Sequence, residues 1–402
     1  MEALSDNLSG AGPAAALRVV LLADRDALHC YGPVLRRFTV GLLDEVGEMT
    51  LVCPEGAPFV HQVPSPPVRL VFESSRPGPA SEVDLTGRRV WVGRPYLSFL
   101  DRLRPDRRVR RLAETLRPFK PTLLHALSEN IQSVVGGLSR ALQVNYLVSV
   151  LALDRCSLDV SDAACAAVLC CNSTVARSLR RAHPRAARRV HVLPIGTHVS
   201  TEVCCLSHDG QAPVVLCCSP LQVGRGLPPL IRAIRRLKDR GRRVHLMLLG
   251  RGSAEHDLRR LTSALGLIEQ VHFGPPVTHM LRGLDAHKTI FREADVFVQP
   301  FPLRSWRPEL LEALSVGNAV VVIRGPDNDL IVEGKTARVL PADDDARLAD
   351  CLEALLADPQ QARRFAENAQ RYLRKHFLAG RMVARLGRAY RLAQAQPHPS
   401  EA

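Results

Sequence analysis

A chain of 402 residues, 46% of them hydrophobic, is long enough to fill two cores of ordinary domain size. No apolar run approaches the roughly 20 residues a membrane-spanning helix needs, so no helical span is expected. The formal charge of +14 invites an anionic partner, yet the basic residues spread over many expected helices without a recognisable nucleic-acid motif, and nucleic acid is not among the expected partners.

In chain order, residues 1–16 carry Glu2 and Asp6 ahead of an Ala/Gly/Pro stretch, which reads as a flexible tail and not as a signal peptide. Arg18–Ala23 is a continuous apolar run of the kind a parallel strand buried on both faces requires, followed by a turn-rich stretch and a helix from about Pro33 to Glu45. Further strands are expected at Met49–Cys53, Val68–Phe72, Arg89–Val92, Thr122–Ala126, Tyr146–Leu151, Ala166–Cys171 and Val190–Leu193. Residues 17–200 thus form one domain, and the polar, aperiodic residues 201–212 a linker. A second series occupies residues 213–375, with strands at Pro213–Cys218, Val244–Leu249, Gln270–Phe273, Asp295–Gln299, Ala319–Ile323 and Ala337–Leu340. Residues Ala362 to Ala393 read as one or two basic amphipathic helices. Strands separated by helix-length segments imply βαβ units, so the expected fold class is α/β: two facing Rossmann-like domains with parallel sheets.

Six of the eleven cysteines fall as neighbours (Cys170-Cys171, Cys204-Cys205 and Cys217-Cys218), most lie in apolar runs, and there is no Cys-x-x-Cys pair. They read as reduced core thiols of a cytoplasmic protein. Residues Arg94 to Lys120 hold nine Lys/Arg against three acids, with Tyr96, Leu97, Phe99 and Leu103 interleaved. That pattern fits a solvated helix face, or a helix lying on an anionic membrane surface.

The most informative stretch follows the run Ala294 to Pro302: Arg304-Ser-Trp-Arg307-Pro308-Glu309-Leu-Leu-Glu312-Ala-Leu-Ser-Val-Gly317. It reads as strand, loop and a helix opened by Pro308, which sets a helix N-terminus at the carboxyl edge of a parallel sheet, where backbone N–H groups meet a phosphate. This segment resembles the donor-site signature of the family 4 (group 1) retaining glycosyltransferases, whose fold is GT-B. Val192 to Val199, Met247 to Ser253 with its Gly250-x-Gly252 turn, Gln270 to Gly274, Val332 to Thr336 and Leu340 to Asp344 resemble further segments of that family, in the same order. The resemblance implies that a C-terminal helix, residues 376–396, crosses back onto the first domain.

It also implies roles. Glu312, in the place of the second motif Glu, would accept ribose hydroxyls of a nucleotide sugar, while Arg304 replaces the first Glu and would instead grip a phosphate or an acidic sugar. Arg225 would take the place of the family's diphosphate Lys, beside Gly226, with Pro220 where the family has Arg. Gly250, Arg307 and Glu309 complete the expected donor side, Arg307 offsetting the Glu309 charge in the first helical turn. On the acceptor side the resemblance gives Gly32, in Tyr31-Gly32-Pro33, and His125, with Leu127 where the family has a second His. The residues alone also allow His125 to be a hydrogen-bonded core histidine. No metal or resident cofactor is implied; the nucleotide sugar is a substrate, and the acceptor a hydroxyl of a sugar or lipid-linked sugar. Two readings remain: a retaining glycosyltransferase of glycan, glycolipid or cell-envelope polysaccharide synthesis, peripheral at the inner membrane surface if the basic segment binds there, and a catalytically inactive GT-B protein serving as a nucleotide- or glycan-binding scaffold.

Overall fold

The computed structural model describes residues 17–25, 27–28, 42, 46–54, 68–73, 81–84, 89–93, 104–151, 158–206, 211–277, 286–302, 306–326, 328–342 and 344–400. The first domain contains β1 Arg18–Leu22, β2 Glu48–Pro54, β3 Val68–Glu73, β4 Ser81–Asp84, β5 Arg89–Gly93, β6 Leu123–Ala126, β7 Tyr146–Val150, β8 Cys165–Cys170 and β9 Val190–Val192. They form one sheet in the order β4-β5-β3-β2-β1-β6-β7-β8-β9. The order turns back at β1, which pairs with both β2 and β6 in parallel. Helices α1 Pro105–Leu116, α2 Gln132–Leu142 and α3 Ser173–Ala182 cover it among the described residues. Strands such as β6 and β8 are buried along their whole length, which is why their sequences are unbroken apolar runs.

The second domain has β10 Val214–Cys218, β11 His245–Leu249, β12 Val271–Gly274, β13 Val296–Gln299, β14 Ala319–Ile323 and β15 Arg338–Leu340, in the order β12-β11-β10-β13-β14-β15 and parallel throughout. Its helices are α4 Leu227–Asp239, α5 Glu255–Ala264, α6 Ala286–Arg292, α7 Pro308–Val316, α8 Asp345–Ala357 and α9 Pro359–His376. The strands expected from the sequence all reappear, each end within one residue. One strand was not foreseen: β4 pairs antiparallel with β5 at the sheet edge. Four residues reading Ser-Glu-Val-Asp have too little apolar character to stand out as a strand. The helix expected at Pro33 to Glu45 falls almost wholly outside the described residues.

Helix α10, Ala379–Gln394, returns to the first domain and packs on β6 and β8. The turn into it is bolted to the join between the domains. Thr197 N donates to Phe377 O at 2.8 Å, and Ala379 N to Thr197 O at 3.1 Å. A Cβ on Gly196 would lie 2.6 Å from Leu378 O, so only glycine lets these backbones approach. At the far end Asn145 Nδ2 donates to Ala393 O and Gln396 O. Residues 200–206 lie along the second domain, with Ser200, Cys204 and Cys205 N–H groups donating to the carbonyls of Ser315, Val316 and Gly317.

Among the described residues, contacts also span the cleft between the two domains. Trp306 N donates to Leu151 O at 2.9 Å. Asp329 accepts from Ser173 N at 2.7 Å and Ser173 Oγ at 2.5 Å, so a carboxylate of the second domain caps helix α3 of the first. One apolar cluster accordingly runs from β1 and β6 through Trp306, Leu310 and Leu311 to Met382 and Tyr390, across the domain boundary. The nine cysteines among the described residues are thiols outside any disulfide, and burial pushes the Cys53, Cys165 and Cys205 thiols up to about 12.

Candidate functional site

The second sheet reverses its strand order at β10, between β11 and β13, and a ligand crevice is expected outside the carboxyl ends of strands at such a point. There the loop after β10 is stitched to the loop after β11: Ser219 N donates to Leu249 O, Leu221 N to Arg251 O and Ala254 N to Leu221 O. This explains the Gly-x-Gly turn. A Cβ on Gly250 would lie 1.9 Å from Ser219 O, and one on Gly252 2.2 Å from Leu221 O. Gly226 opens α4 in the left-handed region at φ 62°, where a Cβ would meet Pro300 O at 1.8 Å. Close backbone packing therefore gives the crevice its shape.

A cavity of about 220 Å³ lies in this crevice, walled by Ser219, Pro220, Gly250, Arg251, Val277, Phe301, Arg307 and Glu309. At its rim the Arg225 guanidinium stands 4.7 Å over the Phe301 ring. Partial burial and then the neighbouring Arg307 charge lower the Arg225 pKa from its usual value. Two cations that repel one another beside a cavity invite an anion between them. Helix α7 adds to the same field: Arg307 at its N-cap is extended and supplies no side-chain cap, so first-turn N–H groups point outward, except at Pro308, which has none.

Glu312 stands elsewhere. Its carboxylate is 2% exposed and off the cavity wall. Thr197 Oγ1 donates to its Oε1 at 3.1 Å, and Lys288 Nζ lies 3.4 Å from its Oε2 with the lysine equally enclosed. Lys288 in turn donates to His198 O at 2.6 Å. Sequence reading missed Lys288, because only the fold brings α6 beside α7. Arg304 and Gly32 lie outside the described residues.

In the first domain the equivalent reversal is at β1 and β6. Asp24, just past β1, accepts from Ser128 Oγ at 2.7 Å, Asn130 Nδ2 at 3.1 Å and Ala27 N at 2.7 Å. Leu127 is core. His125 is buried within the sheet, with Nδ1 2.7 Å from Tyr390 Oη and Nε2 3.0 Å from Ser149 Oγ, and burial pulls its pKa down to about 3. It is a neutral tie between β6 and α10.

Comparisons with known proteins bear on the same domain. The profile of a family described as Glycosyl transferases group 1 matches residues 212–358. A GDP-mannose-dependent alpha-(1-6)-phosphatidylinositol monomannoside mannosyltransferase of Mycolicibacterium smegmatis is 34% identical over 163 residues, 38% of this chain and 41% of that protein. An alpha-D-kanosaminyltransferase of Streptomyces kanamyceticus is 30% identical over 162 residues, 39% of this chain and 40% of the relative. The match thus spans about two fifths of each relative. Solved structures cover nearly the whole chain at low identity: a Rickettsia africae glycosyltransferase (TM-score 0.69, 12% identical, 95% of this chain and 99% of that one) and Anabaena HepE in complex with UDP and glucose (TM-score 0.66, 15% identical, 92% and 98%). Likeness at this level establishes the fold, which is GT-B.

Proposed function

We propose, for a chain whose residues 212–358 are a glycosyl transferases group 1 domain in a GT-B frame, that the protein transfers a hexose or uronic acid from a nucleotide sugar to a hydroxyl acceptor with retention. The observation that carries this is the convergence of Arg225, Arg251 and Arg307 with the N-terminus of α7 around one cavity at the β10 reversal. As the glycosidic bond breaks, negative charge grows on the leaving diphosphate. Cations and N–H groups already in place stabilise that charge without reorganising. Clefts with cations on one wall and hydroxyl-binding groups such as Asp24, Ser128 and Asn130 on the other suit a charged donor and a polar acceptor. Retention rests on the family resemblance, and the acidic-sugar preference assigned to Arg304 on the carboxylate partner that a guanidinium favours.

Titration calorimetry with UDP, GDP and ADP and their sugars tests the reading. One of the three should bind, and Arg307→Ala should weaken it about 10- to 100-fold, the usual worth of a charge-assisted phosphate contact. Equal affinity in both proteins rejects the site. The basic partner surface reads the same way: Arg107, Arg110 and Arg111 are exposed on α1, and sedimentation with anionic but not neutral vesicles is the expected outcome.

A second reading, a nucleotide-binding scaffold without turnover, is favoured by two observations. The Glu312 carboxylate is committed to Lys288, and position 127 is an apolar core residue. Nucleotide binding without transfer or hydrolysis of any donor would decide for it.

A further inference from the structure

Strand β13 reads Val296-Phe-Val-Gln299, three apolar residues and then an amide. Gln299 is 2% exposed, and its Nε2 has no hydrogen-bond partner among the described residues. An unmade bond of this kind lowers stability, and an apolar side chain would finish an apolar strand without that loss. Asn318 is also buried with one open amide atom, yet its Nδ2 donates to Phe291 O and Ala294 O, which gives it an internal task. Gln299 has no such task, and it borders the cavity at the β10 reversal.

There it joins Cys218 and Leu249, the last residues of β10 and β11, in an uncharged floor at the strand ends. Burial, with the Glu309 charge, pushes the Cys218 thiol well above its usual pKa, so it stays neutral. The cations stand apart from this floor, Arg225 over Phe301 and Arg307 at the start of α7. A diphosphate belongs with the cations, and what reaches the floor is an uncharged part of the nucleotide. Beside the floor the cavity is lined by Pro220, Pro276 and Val277. A sugar, with hydroxyls pointing to all sides, would leave several of them facing these apolar groups. A planar base has apolar faces and carries its donors and acceptors on one edge, where a carboxamide can meet two of them at once. Resting on the donor reading above, we propose that Gln299 reads the base of the nucleotide, its carboxamide accepting from one group of the base edge and donating to the next.

The test compares wild type with Gln299→Met, which keeps the length of the side chain, and with Gln299→Leu. Each is melted without ligand and titrated by calorimetry with UDP, GDP, ADP, their glucose conjugates and inorganic pyrophosphate. Wild type should favour one base over the other two about 10-fold, as expected for a paired base contact. Both variants should cut that preference to about 2-fold or less, keep the affinity for pyrophosphate, and melt about 2–4 °C higher because the unmade bond is gone. A wild type without a preference, or a preference that survives both substitutions, overturns the assignment and leaves the donor reading intact. A loss shared equally by pyrophosphate, or confined to the glucose conjugates, does the same. Lower melting temperatures in both variants would give the amide an internal role and also overturn it. A wild type that binds pyrophosphate but none of the three nucleotides overturns both readings.

Discussion

At the reversal of the second sheet, backbone meets backbone: Gly226 abuts Pro300 O, and Gly250 abuts Ser219 O, with no room for a methyl group. At the matching reversal of the first sheet, side chains do the joining, with Asp24 collecting Ser128, Asn130 and the Ala27 N–H. The two walls of one cleft are therefore open to change by different amounts. A wall shaped by main-chain approach cannot be altered without moving strands, whereas a side-chain cluster is retuned by single substitutions that leave the sheet intact. In the proposed reaction this suits a fixed diphosphate on one side and a variable acceptor on the other.

The strongest attack on this contrast is on the buried pair behind the wall of the second domain. Lys288→Met should cost about 3–5 kcal/mol in urea unfolding, because Glu312 is left charged and enclosed, and Lys288→Met with Glu312→Leu should recover most of it. Equal losses in the single and double variants would show that packing, not charge, holds that wall. Next in size, Gly226→Ala should cost about 3 kcal/mol and abolish nucleotide binding, while Asp24→Ala across the cleft should cost only about 1 kcal/mol. Similar costs for both would erase the distinction drawn here.

The first domain has its own weak point, and it is acid. His125 has its pKa lowered in the folded state to about 3, against 6.5 when unfolded. Below pH 6.5 the unfolded chain binds a proton that the folded one refuses, so stability falls as pH falls, by about 1.4 kcal/mol per unit, until the pH nears 3. By pH 5 this amounts to about 2 kcal/mol, and His125→Gln should flatten that part of the profile. An unchanged slope would mean that other groups carry the acid sensitivity. The smallest effect concerns the join: Asp329→Ala should remove about 1 kcal/mol from the closed form, seen as a larger radius of gyration in small-angle scattering. Scattering curves that superimpose would place the clasp elsewhere.

The strands were legible in the sequence because buried parallel strands leave unbroken apolar runs such as Val214-Val-Leu-Cys-Cys218, and each is marked off by turn residues. The crevice at the β10 reversal was legible too, through Gly226, Gly250 and the Pro308 helix start. What could not be read was which carboxylate of α7 faces the cavity. Glu309 and Glu312 are alike in one dimension, and the difference is Lys288, 24 positions from Glu312 and brought to it only by helix packing. The cross-domain cap of Asp329 on Ser173 was hidden for the same reason, since 156 positions separate the two. Motif reading locates a wall; tertiary packing decides which of its side chains line the cavity.

The tie between His125 and Tyr390 also bears on how the molecule comes into being. These residues are 265 positions apart, and Asn145 is joined to Ala393 and Gln396 over a comparable span. During synthesis the first sheet leaves the ribosome well before the helix that covers β6 and β8. At about 5–20 residues per second, the wait is roughly 15–50 s. Over that interval the face around His125 is an uncovered apolar surface, so the first domain is a candidate for chaperone capture until the second has been made.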